Sequence, residues 1–187
     1  MPSLSEADRR AALQLARTAV IEAVTHRKFL DSFPCDGVFA ERRGVFVTLH
    51  VSNHLQGCIG VIEAKEPLGE AIARCAASAA LEDPRFAPMK TEQLGDLSIE
   101  ISILSAMEPI AQESIEIGRH GLFVRLHAYR GLLLPQVAIE HRLTREQFLQ
   151  ETCRKAGLPR EAWREPEARL FGFTCEVFSE SSHSEKV

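Results

Sequence analysis

Ala12, Leu15, Ala16, Ala19, Val20, Ala23 and Val24 recur at the spacing that turns one face of a helix toward a core. Ser5, with Asp8 three residues on, supplies an N-cap ahead of that stripe, so the chain opens on an amphipathic helix. Pro34, Asp36 and Gly37 then interrupt the pattern, and 38–40 followed by 44–49 read as extended, β-branched and aromatic chain. A first strand is expected over 45–51. Ser52-Asn53-His54 makes a polar turn, and 55–62 returns as the second strand of a hairpin.

Pro67 suits the first turn of a second helix, whose stripe of Leu68, Ile72, Cys75, Ala76 and Ala79 runs to Leu81, with Glu70 and Arg74 spaced to pair at i,i+4. Its small residues, Ala76 to Ala80, allow close packing on a sheet, and Pro84 predicts a stop near Glu82. Over 97–104 the chain alternates, with Ile99, Ile101 and Ile103 inward and Ser98, Glu100 and Ser102 outward, as in a half-buried strand. Residues 121–126 and 131–134 flank His127-Ala128-Tyr129-Arg130 as a second hairpin, and Pro135 opens a short helix reaching His141. Thr144 and Gln147 spell a capping box for a helix over 145–156, which Gly157 and Pro159 stop. Phe171, Phe173, Cys175 and Val177 alternate with Gly172, Thr174 and Glu176 as one last strand, and 179–187 is a polar tail expected to fray. Hairpins require antiparallel pairing, so the class is α+β rather than a doubly wound parallel sheet. With no repeat, linker or composition shift, the chain reads as a single domain.

Composition acts mainly by exclusion. With 45% hydrophobic and 26% charged residues in 187, this is globular chemistry, long enough to bury a core without staples. A formal net charge of −4 and a pI near 6.0 speak against broad contact with nucleic acid or an anionic membrane, and Arg42-Arg43 is too short for a basic patch. Met1 to Glu6 has neither the basic nor the apolar region of a secretory signal, and no apolar run approaches the ~20 residues of a spanning helix. The five cysteines (Cys35, Cys58, Cys75, Cys153, Cys175) contain no Cys-x-x-Cys pair, which argues for free thiols in a reducing cytoplasm. His50 and His54 are the one histidine pair at i,i+4, and the turn between them breaks the helix that would align them, so neither a metal nor another cofactor is expected.

The unusual segment is Leu55-Gln56-Gly57-Cys58-Ile59-Gly60, where two glycines bracket one thiol inside a strand pattern. In a regular strand Gln56, Cys58, Gly60 and Ile62 share one face, and Leu55, Gly57, Ile59 and Val61 the other. Gly60 would then leave open space beside the Cys58 thiol, and a bulge at either glycine would reverse the faces.

Gly44-Val45-Phe46-Val47-Thr48-Leu49, the Leu55 to Gly60 segment and Asp83-Pro84-Arg85-Phe86 together resemble the AMMECR-type domain family. Gly121-Leu122, Gly131-Leu132-Leu133-Leu134-Pro135-Gln136-Val137-Ala138 and Lys155-Ala156-Gly157-Leu158-Pro159 extend the resemblance over roughly 12–178. It implies an antiparallel sheet flanked by helices, in two unequal lobes forming a cleft near the Gly-Cys-Ile-Gly segment. It also implies kinship with component A of the AmmeMemoRadiSam set, whose partners are a Memo-like protein of dioxygenase-type fold and a radical SAM enzyme. The family usually carries Arg where this chain has Gln56, which removes a cation that could bind an anion or depress the thiol pKa unless Arg85 or a histidine replaces it.

Two functions follow as expectations. In one, Cys58 is a nucleophile activated by a histidine, with His120, His54 and His141 as candidates. In the preferred one, a cleft near Cys58 binds a small molecule or a partner's peptide, lined by Gln56, Gly57, Ile59 and Gly60, with Arg85 and Glu100 as polar anchors.

Overall fold

The computed structural model describes residues 4–63 and 65–180. The first helix, α1 (Glu6–His26), starts on the capping box that its sequence predicts: the Asp8 N–H donates to Ser5 Oγ, and the Ser5 N–H donates to Asp8 Oδ2, each at 3.2 Å. Arg27 ends it in the left-handed region with φ 56°. The next segment differs from expectation, because Gly37–Ala40 coils into a 3-10 turn rather than extending. Gly37 has φ 51°, which breaks strand geometry, and Phe39 is buried in the core.

Strands β1 (Val45–Val51) and β2 (His54–Val61) form the first hairpin, joined by Ser52 and Asn53 at φ 49° and 64°, the double left-handed geometry that matches strand twist. Helix α2 (Leu68–Leu81) and strand β3 (Leu97–Leu104) follow. Arg74 pairs with Glu66 rather than with Glu70, its Nε donating at 3.1 Å, because the loop before α2 brings Glu66 alongside the helix. Buried residues of α1 and α2, among them Ala16, Ala19, Val20, Ile72, Ala76 and Ala79, form one core with Val45, Val47, Leu49, Ile99 and Ile101. Alanines dominate the helix side of that core, which lets backbones approach closely.

Strands β4 (Glu108–Pro109), β5 (Gly121–Leu126) and β6 (Tyr129–Leu133) lead to helices α3 (Pro135–Glu140) and α4 (Arg145–Lys155). Helix α4 carries its expected capping box: the Thr144 N–H donates to Gln147 Oε1 at 2.8 Å and the Gln147 N–H to Thr144 Oγ1 at 3.3 Å. The expected single last strand is two, β7 (Arg169–Phe173) and β8 (Cys175–Ser179), which join different sheets. The break is at Thr174, whose carbonyl accepts the Ser105 N–H at 2.9 Å while its own N–H donates to Ser105 Oγ at 2.9 Å. Antiparallel pairing is thus divided between two four-stranded sheets, β2-β1-β3-β8 and β4-β7-β5-β6.

Contacts divide the chain into two compact units, one running to Ile103 and resuming at Glu176, the other Leu104–Cys175. The chain passes from one to the other inside β3, after Ile103, and inside β8, after Cys175, with no linker to mark either passage. The second unit has its own apolar clusters, around Leu122, Phe148 and Leu149 and around Val124, Cys153 and Ala162. Of the tail, Ser179 closes β8 and Glu180 accepts from Arg17 Nε at 2.6 Å and from the Ile99 N–H at 3.0 Å; 181–187 lie outside the described residues. Among the described residues no helix is long and apolar enough to cross a membrane.

Candidate functional site

Strand β2 lies at the edge of its sheet, so alternate residues turn main-chain N–H and C=O groups away from the ladder, where they need other partners. At Cys58 those partners come from the segment after α2. Asp83 Oδ2 accepts the Cys58 N–H at 2.9 Å, and Arg85 Nη2 donates to the Cys58 carbonyl at 3.3 Å. Asp83 also accepts from the Arg85 N–H at 3.1 Å, from Nε at 2.9 Å and from Nη2 at 2.6 Å. The Asp83 side chain is 2% exposed and that of Arg85 56%, so the clip buries the acid and leaves the cation at the surface. Hydrogen bonds from Arg85, joined by those of the Cys58 and Arg85 N–H groups, hold the Asp83 carboxyl well below the usual carboxylate range against the opposing push of burial. Arg85 is correspondingly held in its charged form, chiefly by Asp83 and to a smaller extent by the Cys58 side chain.

Since the Cys58 main chain points outward to this clip, Cys58 and Thr48 form a non-hydrogen-bonded pair, the kind in which side chains come closer. Thr48 Oγ1 donates to Cys58 Sγ at 3.3 Å. Thr48 in turn faces Glu100 of β3, so Cys58, Thr48 and Glu100 form a row across three strands, on the sheet face opposite the helices. Glu100 is half-buried, and among the described residues its carboxylate has no hydrogen bond or ion pair.

The two glycines act differently. Gly57 faces the helices, where an added Cβ would lie 2.0 Å from the Ala79 carbonyl oxygen, so its lack of a side chain lets α2 press onto the strand. Gly60 does not leave the expected open space: a Cβ there would sit 2.3 Å from the Phe46 ring, which covers the glycine on the Cys58 face. Ile59 pairs with Val47 on the helix side and packs against that core.

The predicted face of Cys58 survives because the bulge falls before the glycines. Leu49 pairs with Gly57 and His50 with Leu55, which leaves Gln56 as the extra residue. Gln56 Nε2 donates to the Ala87 carbonyl at 3.0 Å and Oε1 accepts from Gln93 Nε2 at 3.4 Å, so its amide braces the segment that carries Asp83 and Arg85. The cation beside Cys58 is therefore Arg85, entering from a different segment.

None of the candidate histidines is hydrogen-bonded to Cys58. His54 is exposed in the first hairpin, with Nδ1 2.8 Å from the Ser52 carbonyl oxygen; His141 is exposed after α3. His120 belongs to the second unit, where Nδ1 accepts the Glu116 N–H at 3.0 Å and ties the turn before β5. Among the described residues, no three of His, Cys, Asp and Glu gather as a metal site. Thr48 and Asp83 are the site residues that sequence reasoning missed. The signal for Asp83 was present, an acid at a helix end directly before Pro84-Arg85; Thr48 was hidden by the bulge, since an unbroken two-residue hairpin would set Val47 opposite Cys58.

The AMMECR1 family model matches residues 13–178. The chain is 43% identical over 187 residues to a protein of Methanothermobacter thermautotrophicus, covering 95% of this chain and 96% of that one. It is 40% identical to a protein of Thermococcus kodakarensis, over 90% of this chain and 88% of that one. Among solved structures it resembles the crystal structure of the uncharacterized protein PH0010 from Pyrococcus horikoshii, with a TM-score of 0.82 and 39% identity, covering 91% of this chain and 90% of that one.

Proposed function

Because the chain belongs to the AMMECR1 family, we propose that it is a binding or accessory component of a modification system with Memo-like and radical SAM proteins. In this reading a cleft bordering the Cys58 face holds a small molecule or a peptide segment of a partner. The observation that carries it is Glu100, a half-buried carboxylate that has no partner among the described residues and stands in line with the Thr48–Cys58 pair. A half-buried charge without a partner costs free energy, and a ligand with a cationic or N–H donor group offsets that cost. The Asp83–Arg85 clip supports the same reading, since a backbone held from both sides makes a rigid platform and uses the arginine for positioning.

Co-expression with a Memo-like and a radical SAM protein tests the proposal. A complex retained by the unmodified chain and weakened at least tenfold by Glu100→Gln is expected; a chain that stays alone with both partners present refutes it. The second reading, Cys58 as a nucleophile, is favoured by one observation, the Arg85 guanidinium beside it. Alkylation across pH decides between the two. Cys58 outpacing a free thiol at neutral pH, with the signal gone in Cys58→Ala, supports catalysis, whereas ordinary reactivity removes it.

A further inference from the structure

In the second unit, β5 sets Arg125 directly opposite Arg130 of β6 and Arg169 of β7, so three arginines stand in one cross-strand row. All three are exposed, and among the described residues none forms an ion pair; Arg125 lies 5.6 Å from the Phe171 ring instead. Glu167, two residues before Arg169, is engaged with His127 at 3.3 Å. Like charges directly opposite in a ladder destabilise it, and strands about 4.8 Å apart give the row a span of roughly 10 Å. Elsewhere Arg17, Arg74, Arg85 and Arg164 each meet a carboxylate, and the whole chain has a net charge of −4, so the row is a local departure from an acidic protein.

Arg169 also lines an open groove of about 650 Å³, shared with Ile110, Glu113, Trp163, Arg164 and Leu170. The Trp163 indole N–H is buried there without an acceptor among the described residues. Arg169 joins the row to this groove, whose Ile110, Trp163 and Leu170 can take an apolar residue between the charged Glu113 and Arg164, so the two together are complementary to a chain that alternates acids with an apolar residue.

We propose that this face docks an acidic, extended peptide segment of a partner protein, its carboxylates on Arg130, Arg125 and Arg169 and an apolar side chain in the groove. Guanidinium forks pair well with carboxylates, and an extended chain brings one every residue or two along its ~3.3 Å rise, enough to cover the row with three or four residues. A nucleic-acid strand fits less well, since its affinity comes from many phosphate contacts and three cations supply few. The proposal is independent of the Cys58 site, so Cys58→Ala leaves this binding unchanged.

The test is fluorescence anisotropy of the full chain with a labelled Glu-Glu-Leu-Glu-Glu-Leu peptide. Saturable binding that weakens with salt is expected, with a loss of at least tenfold in Arg125→Glu/Arg130→Glu/Arg169→Glu and none in Arg10→Glu, an exposed arginine on α1. Should the triple variant not fold, Arg169→Gln alone is expected to weaken binding at least threefold. Arg130→Gln should raise the urea midpoint, because it removes repulsion at the row. Binding indifferent to the row, equal loss in Arg10→Glu, a lower midpoint in Arg130→Gln, or tighter binding of a labelled oligothymidylate of the same length each overturns the assignment.

Discussion

Replacing Asp83 by alanine removes, in one step, the acceptor for the Cys58 N–H and for three donors of Arg85. Hydrogen bonds to a charged group contribute about 1.5–3 kcal/mol and an orphaned, partly buried N–H costs about 1–3 kcal/mol. These do not add in full, because Arg85 is more than half exposed and water re-solvates it. A net loss of roughly 2–4 kcal/mol follows, and at roughly 2–4 °C per kcal/mol for a chain of this length the melting temperature should fall by about 5–15 °C. The pH dependence has a defined sign. The folded-state pKa of Asp83 is depressed, chiefly by the Arg85 hydrogen bonds, so its stabilisation is complete above the unfolded value of about 3.9 and is lost as pH falls through the lower folded value. Urea midpoints of the unmodified chain and Asp83→Ala, taken from pH 7 to about 3, should show a constant gap down to about pH 5 that narrows below about pH 4. A gap under about 0.5 kcal/mol at pH 7, or one that does not narrow in acid, would falsify the account of the clip.

Gly57→Ala should destabilise by at least about 1–3 kcal/mol, since the only relief for a Cβ 2.0 Å from the Ala79 carbonyl is to move α2; Gly95→Ala, with nothing within 4 Å, should stay within about 0.5 kcal/mol. Equal urea midpoints for the two variants would contradict the close approach. In alkylation followed by mass spectrometry, exposed Cys35 should react in the native state, while buried Cys75, whose thiol is pushed up to about 11 by desolvation, should be labelled only after unfolding. Native labelling of Cys75 at neutral pH would show that α2 opens readily. Thr144→Ala should cost about 1 kcal/mol in urea unfolding through loss of the α4 cap, and Thr144→Ser should recover most of it.

Local signals alone determined many of the elements in both units. The caps at Ser5 and Thr144, the apolar stripes of α1 and α2, and the alternation of β3 depend on residues within a turn or two of each other, and each is where its pattern places it. That Cys58 shares a face with Gly60, and Gly57 with Ile59, was legible too, because strand parity needs only neighbouring residues. What lies beyond local reach was decided by tertiary contacts. Residues 171–177 alternate apolar with polar or small residues, yet hydrogen bonds between Thr174 and Ser105 divide them between two sheets. The space beside Gly60 belongs to Phe46, fourteen positions away, and the register that brings Thr48 to the thiol depends on a bulge at Gln56 braced by Ala87 and Gln93. The clip on Cys58 and the row of Arg125, Arg130 and Arg169 likewise exist only when distant segments meet. Periodicity reports which way a residue points; which residue it meets is set by pairing register and helix docking, and those are chosen by the free energy of the whole packed core.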